Sequence, residues 1–111
     1  LYCYNDKILK KGVFVMQKIT LKSDSPETVV LLLKNAMDRE KRILVDTIRI
    51  TKEKIEALAK SLGVDSDKLK RGEVEHTESN DMKLIELEGE IEILEHLEDE
   101  LKALETVEIC K

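Results

Sequence analysis

From Pro26 to Leu62 the chain runs 37 residues with no glycine and no second proline, and this stretch limits the possible folds more than any other feature. Ser23-Asp24-Ser25-Pro26-Glu27 supplies a start, with Ser25 as N-cap, Pro26 in the first helical position and Glu27 against the positive end of the helix dipole. Gly63 supplies the stop. A helix of that length extends roughly 55 Å at 1.5 Å per residue. Val30, Leu33, Met37, Leu44, Ile48, Ile55, Leu58 and Leu62 form one apolar row along it. Val29, Ala36, Ile43, Ile50 and Ala57 form a second at seven-residue spacing. Two rows make a stripe too wide for a single neighbour, so the helix is expected to face another helix of its own chain and, through the second row, a second copy.

A second helix is predicted over 81–108, roughly 40 Å long, with a narrower seam of Leu84, Leu87, Ile91, Leu94, Leu97, Leu101 and Leu104. It carries eleven Asp/Glu and two Lys, a net of −9, against eight Lys/Arg and six Asp/Glu, a net of +2, in the first helix. The asymmetry favours pairing the two helices within one hairpin over pairing two acidic helices. Gly89 inside the second helix costs about 1 kcal/mol relative to Ala, which implies either a close backbone approach or a bend. Between the helices, 64–80 is long for a helix–helix connection. Within it, Asp65 to Gly72 reads as a short capped helical turn. The fold class predicted is all-α: an antiparallel two-long-helix hairpin that dimerises into a four-helix bundle, with 23–111 as one domain and 1–22 as an extended N-terminal arm.

That arm differs from the rest, with Gly12 before Val13-Phe14-Val15 and an Ile19-Thr20-Leu21 alternation. Met16 offers an alternative start, which leaves 1–15 read either as native chain or as an upstream extension. Cys3 and Cys110 lie near opposite ends and are read as free thiols. One Phe, two Tyr, no Trp and 39% charged residues describe helices packed by aliphatic side chains, a balance common in thermophile proteins. A chain of 111 residues in a hairpin exposes too much surface to build a deep core alone, which again predicts oligomerisation. The net charge of −5 argues against nucleic acid and anionic membrane as partners. The absence of an eighteen-residue apolar run or a secretory cleavage pattern places the expected location in the cytoplasm.

Little in the chain points to catalysis. Glu86/Glu90 and Glu92/His96/Glu100 stand at four-residue spacing, but eleven acids in one helix produce such spacings by chance, so a solvated face is the simpler reading. Glu73 and His76 have a Glu-x-x-His spacing, yet they lie in the polar connection. Glu53/Glu56 with Glu92/Glu95 resemble the magnesium-binding pairs of all-α nucleotide pyrophosphohydrolases, which makes such a hydrolase the alternative function. Lys18 to Lys22 before a helix resembles ribbon–helix–helix proteins, but the first helix then lacks the turn that fold requires. With no Gly-rich phosphate loop, nucleophile elbow or Cys/His cluster, the chain reads as non-enzymatic, with no catalytic residue, metal or cofactor.

Leu62-Gly63-Val64-Asp65-Ser66-Asp67-Lys68-Leu69, then Asp81-Met82-Lys83-Leu84-Ile85-Glu86-Leu87-Glu88-Gly89-Glu90, and Leu97-Glu98-Asp99-Glu100-Leu101 with Val107-Glu108-Ile109-Cys110 resemble a group of small helical prokaryotic proteins, the antitoxin-like partners encoded beside small toxins. The likeness covers about residues 55–110. It departs from the group at Leu62, Leu69 and Leu87, where aromatic residues are usual. The resemblance implies an interaction protein that binds and neutralises a small toxin, and it brings no catalytic residues. Separately, the acids that flank the seam or point away from it, among them Glu88, Glu92, Glu95 and Asp99, are expected to form a negative face able to steer a basic partner.

Overall fold

The computed structural model describes residues 17–109, and these are all-helical, with no strand among them. Three helices follow in order: α1 (Pro26–Leu62), α2 (Ser66–Lys70) and α3 (Asp81–Glu105). The two long helices pack against each other in a hairpin-like arrangement. Cys3, Cys110 and the ambiguous 1–15 lie outside the described residues. Residues 17–23 are exposed and take no regular secondary structure.

The long first helix begins and ends where the sequence marks it. At its entry the Ser25 carbonyl accepts the first helical bond from the Val29 N–H at 3.1 Å. The hydroxyl serving this entry is that of Ser23, which accepts from the Ser25 N–H at 3.0 Å. At its exit Gly63 has φ +65°, and the chain closes with Gly63 N–H donating to the Lys60 carbonyl (3.2 Å) and Val64 N–H to the Ala59 carbonyl (3.0 Å). This is the Schellman pair, which requires a left-handed residue after the last helical turn. A side chain at that φ is strained even though open space surrounds Gly63. Gly63→Ala is therefore expected to lower stability by about 1 kcal/mol, read as a shift in the denaturant midpoint at unchanged slope.

The same device recurs nine residues on. Asp65 caps α2 by accepting from the Asp67 N–H at 2.9 Å, and Gly72, with φ +71°, closes it through bonds from Gly72 to the Leu69 carbonyl and from Glu73 to the Lys68 carbonyl. α3 then starts from Asn80, whose carbonyl accepts from the Leu84 N–H while its side-chain oxygen accepts from the Thr77 N–H at 2.7 Å. It ends at Glu105, three residues short of the predicted end at 108. Thr106 and Val107 are both β-branched, and the Thr106 hydroxyl donates to the Ala103 carbonyl at 3.0 Å, an alternative to continuing the helix.

The described residues divide into two compact units, 17–41 with 102–109, and 42–101. In the first, Val30 is buried and Val29, Leu33, Met37 and Leu104 are half-buried, while Leu31 and Leu32 are exposed. In the second, Ile55 of α1, Leu69 of α2 and Leu84, Leu87 and Ile91 of α3 form the core, flanked by Leu58, Ala59, Leu62, Val64, Val74 and Leu94. Leu84 and Leu87 have no exposed surface. Of the rest of the predicted α3 seam in this unit, Leu94, Leu97 and Leu101 are half-buried.

The buried face of α1 also includes one residue that apolar periodicity passes over. Thr51 is buried beside Leu44, Ile48 and Ile55, with its hydroxyl donating to the Thr47 carbonyl at 2.8 Å. Burial costs this hydroxyl little because the preceding turn of its own helix satisfies it. Thr47 makes the same bond to the Ile43 carbonyl on the exposed side.

Candidate functional site

In the unit 42–101, α2 and α3 border a cleft of about 380 Å³ lined by Leu69, Lys70, Gly72, Glu88, Ile91, Glu92 and Glu95. Its construction follows from local sequence. The α2 turn puts Leu69 into the core and the next residue, Lys70, at the rim. Gly72, present because the C-cap needs a left-handed residue, contributes no side chain, and open space lies where a Cβ would stand. On α3, Ile91 belongs to the buried seam, while Glu88, Glu92 and Glu95 lie one helical step to its side at i, i+4 and i+7. The result is an apolar floor with an acidic rim.

Two of the three acids meet basic side chains from outside α3. Lys70 Nζ meets Glu95 Oε1 at 2.8 Å, a hydrogen bond that raises the Lys70 pKa, with the charge of Glu95 adding to it. The pair is about half exposed, so its worth to stability is small. His76, in the connection, reaches α3 with both ring nitrogens: Nδ1 lies 2.8 Å from Asp81 Oδ1 and Nε2 lies 3.1 Å from Glu88 Oε1. The Asp81 hydrogen bond raises the imidazole pKa most, partial desolvation opposes it, and Glu88 raises it further. Glu92 has no ion-pair or hydrogen-bond partner among the described residues. Three carboxylates against one ammonium leave the rim acidic, and a side chain with an aliphatic stem and a cationic head matches both floor and rim.

Of the four acids predicted for a partner-binding face, Glu88, Glu92 and Glu95 line this cleft, whereas Asp99 is exposed further along α3 and does not. Along the predicted dimer row of α1, Val29 is half-buried and Ala36, Ile43, Ile50 and Ala57 are exposed, Ile43 at 51% and Ile50 at 41%. On the opposite side of α3 from its buried seam, Met82, Ile85 and Ile93 are exposed as well. Among the described residues no atom stands within 4 Å of where a Cβ on Gly89 would lie, so of the two readings of this glycine, a close backbone approach or a bend, the close approach does not occur.

Of the four carboxylates resembling a magnesium site, Glu53 and Glu95 are paired with cations, whereas Glu56 and Glu92 are not. Glu53 accepts from Arg49 Nη1 at 3.0 Å while Arg49 Nη2 donates to Asp46 at 2.8 Å, which raises the guanidinium pKa, and Glu95 is bridged to Lys70. His96 pairs with Glu100 one turn on, at 2.8 Å on an exposed surface. Among the described residues no three His, Cys, Asp or Glu side chains are grouped to hold a metal, and no helix is long and apolar enough to cross a membrane. The contributions of Lys70 and His76 were out of reach of periodicity, because both depend on how the connection folds back. Compared with known proteins, the chain matches no family model, no curated protein and no solved structure.

Proposed function

We propose that the protein is a non-enzymatic helical interaction protein, an antitoxin-like homodimer of the cytoplasm that captures and neutralises a small basic partner through the acidic cleft of α3. The carrying observation is the convergence of Glu88, Glu92 and Glu95 on one cleft whose floor is Leu69 and Ile91. A toxin with a surface built to meet RNA would present Arg and Lys side chains of the matching chemistry. The exposed isoleucines of α1 support the second half of the reading, in which two hairpins pair through the Val29, Ala36, Ile43, Ile50 and Ala57 row into a four-helix bundle.

The cleft is tested by replacing Glu88, Glu92 and Glu95 together with Gln. All three are at least partly exposed, so the helical circular dichroism signal and the oligomeric state are expected to persist, since exposed ion pairs contribute only about 0–1 kcal/mol each. The association rate with a basic partner recovered by affinity capture is expected to fall by about tenfold or more at low salt and to lose most of its salt dependence. Unchanged rate and salt dependence would refute the cleft as the docking site.

A further inference from the structure

His76 is the one side chain of the connection that ties it to α3 by two ion-pairing contacts, and it does so across two helical turns, from Asp81 to Glu88. Both contacts leave the ring at the surface, 39% exposed, where protons exchange freely with solvent. Glu88 is shared: the carboxylate that His76 engages also lines the cleft. We propose that His76 is a proton-controlled latch that, when charged, fastens the connection 73–80 to α3 through Asp81 and Glu88 and occupies Glu88, and when neutral frees Glu88 for a cationic side chain entering the cleft.

A neutral imidazole has one N–H and can donate to only one of the two carboxylates, whereas the imidazolium donates to both. Protonation therefore decides whether the span is closed at both ends. The charged groups acting on the ring are Asp81 and Glu88, both of α3. Lys70, the cation that lines the cleft, is paired with Glu95. Because both carboxylates raise the folded-state pKa, the contribution of the latch is complete below the ordinary histidine range and is lost as pH rises through the raised value. The cleft accordingly gains free negative charge toward alkaline pH. The effect on the cleft rests on the partner reading above, while the latch itself does not.

Two measurements separate the two parts. In the first, the imidazole resonances of His76 and His96 are titrated by NMR in the full chain, with His96→Gln giving the assignment. The His76 midpoint is expected above that of a free histidine, to move down in both Asp81→Asn and Glu88→Gln, and to be matched by backbone amide shifts across 75–79. An ordinary midpoint, or one indifferent to Glu88→Gln, would overturn the latch. In the second, a hexa-arginine peptide is the probe. Its affinity for the wild type is expected to rise about two- to fivefold between about pH 6 and about pH 8, and in His76→Gln to stay nearly constant at the tighter value. The same pH dependence in both proteins overturns the coupling to the cleft. Failure of the peptide to bind either protein overturns the cleft reading and the coupling together, while the NMR titration still decides the latch.

Discussion

Leu87→Ala is expected to lower the free energy of unfolding by about 2–5 kcal/mol, and Leu84→Ala by a similar amount. Both side chains are wholly buried, and they meet Ile55 from α1 and Leu69 from α2 in a cluster that has few other members. Truncation leaves a void that the surrounding helices fill only in part. Against a total of about 5–15 kcal/mol for an ordinary domain, either loss would take a large share of the stability. Urea unfolding at one fixed protein concentration reads the effect as a fall in midpoint, and Leu31→Ala on the exposed face of α1 is the control, expected within about 0.5 kcal/mol of wild type. A loss below about 1 kcal/mol at both Leu84 and Leu87 would mean that this cluster is not what holds the hairpin together.

For the dimer proposed above, Ile43→Asp combined with Ile50→Asp is expected to leave a folded monomer. Each isoleucine is about half exposed in the single chain, so an aspartate there meets water and costs the hairpin little. In a dimer closed over this row, each aspartate would be buried without a partner, at about 2–3 kcal/mol or more per site. Two symmetric pairs of such sites correspond to a dissociation constant raised by about a millionfold or more. Sedimentation equilibrium over a range of concentrations distinguishes the cases, with circular dichroism showing that the helices persist. A wild-type chain that sediments as a monomer at micromolar concentration would remove the basis for the dimer. A double variant that still dimerises would move the interface off this row and direct attention to the exposed Met82, Ile85 and Ile93 of α3.

The helical frame was largely legible in the sequence because its signals are local. The Ser-Pro-Glu start and the Leu62-Gly63 stop give the bounds of α1, and Asp65 and Gly72 give those of α2, since caps and left-handed turns depend on a few neighbouring residues. The end of α3 was overrun because the acidic, apolar pattern continues to Glu108 while the β-branched Thr106-Val107 pair, whose effect is small per residue, ends the helix first. Thr51 escaped notice because its partner is its own helix, so a polar residue stands in a core row without any sequence sign of how it is satisfied. The acids of the cleft were marked as a face by their spacing. That they share it with Lys70, Gly72 and His76 depends on the path of the connection, which no periodicity encodes.

That path also bears on how the chain comes together. Leu69 stands 14 positions after Ile55 and 15 before Leu84, near the midpoint of the segment that joins the two long helices in the core. Without it, Ile55 could reach Leu84 only by closing one loop of 29 residues, an entropic cost of about 3 kcal/mol beyond the constant term. Leu69 divides that span into two closures of about half the length, each of which contains a left-handed glycine cap, Gly63 in the first and Gly72 in the second. The connection thus acts as a stepping stone in the conformational search, so that long helices with heavily charged faces can find their register from one end.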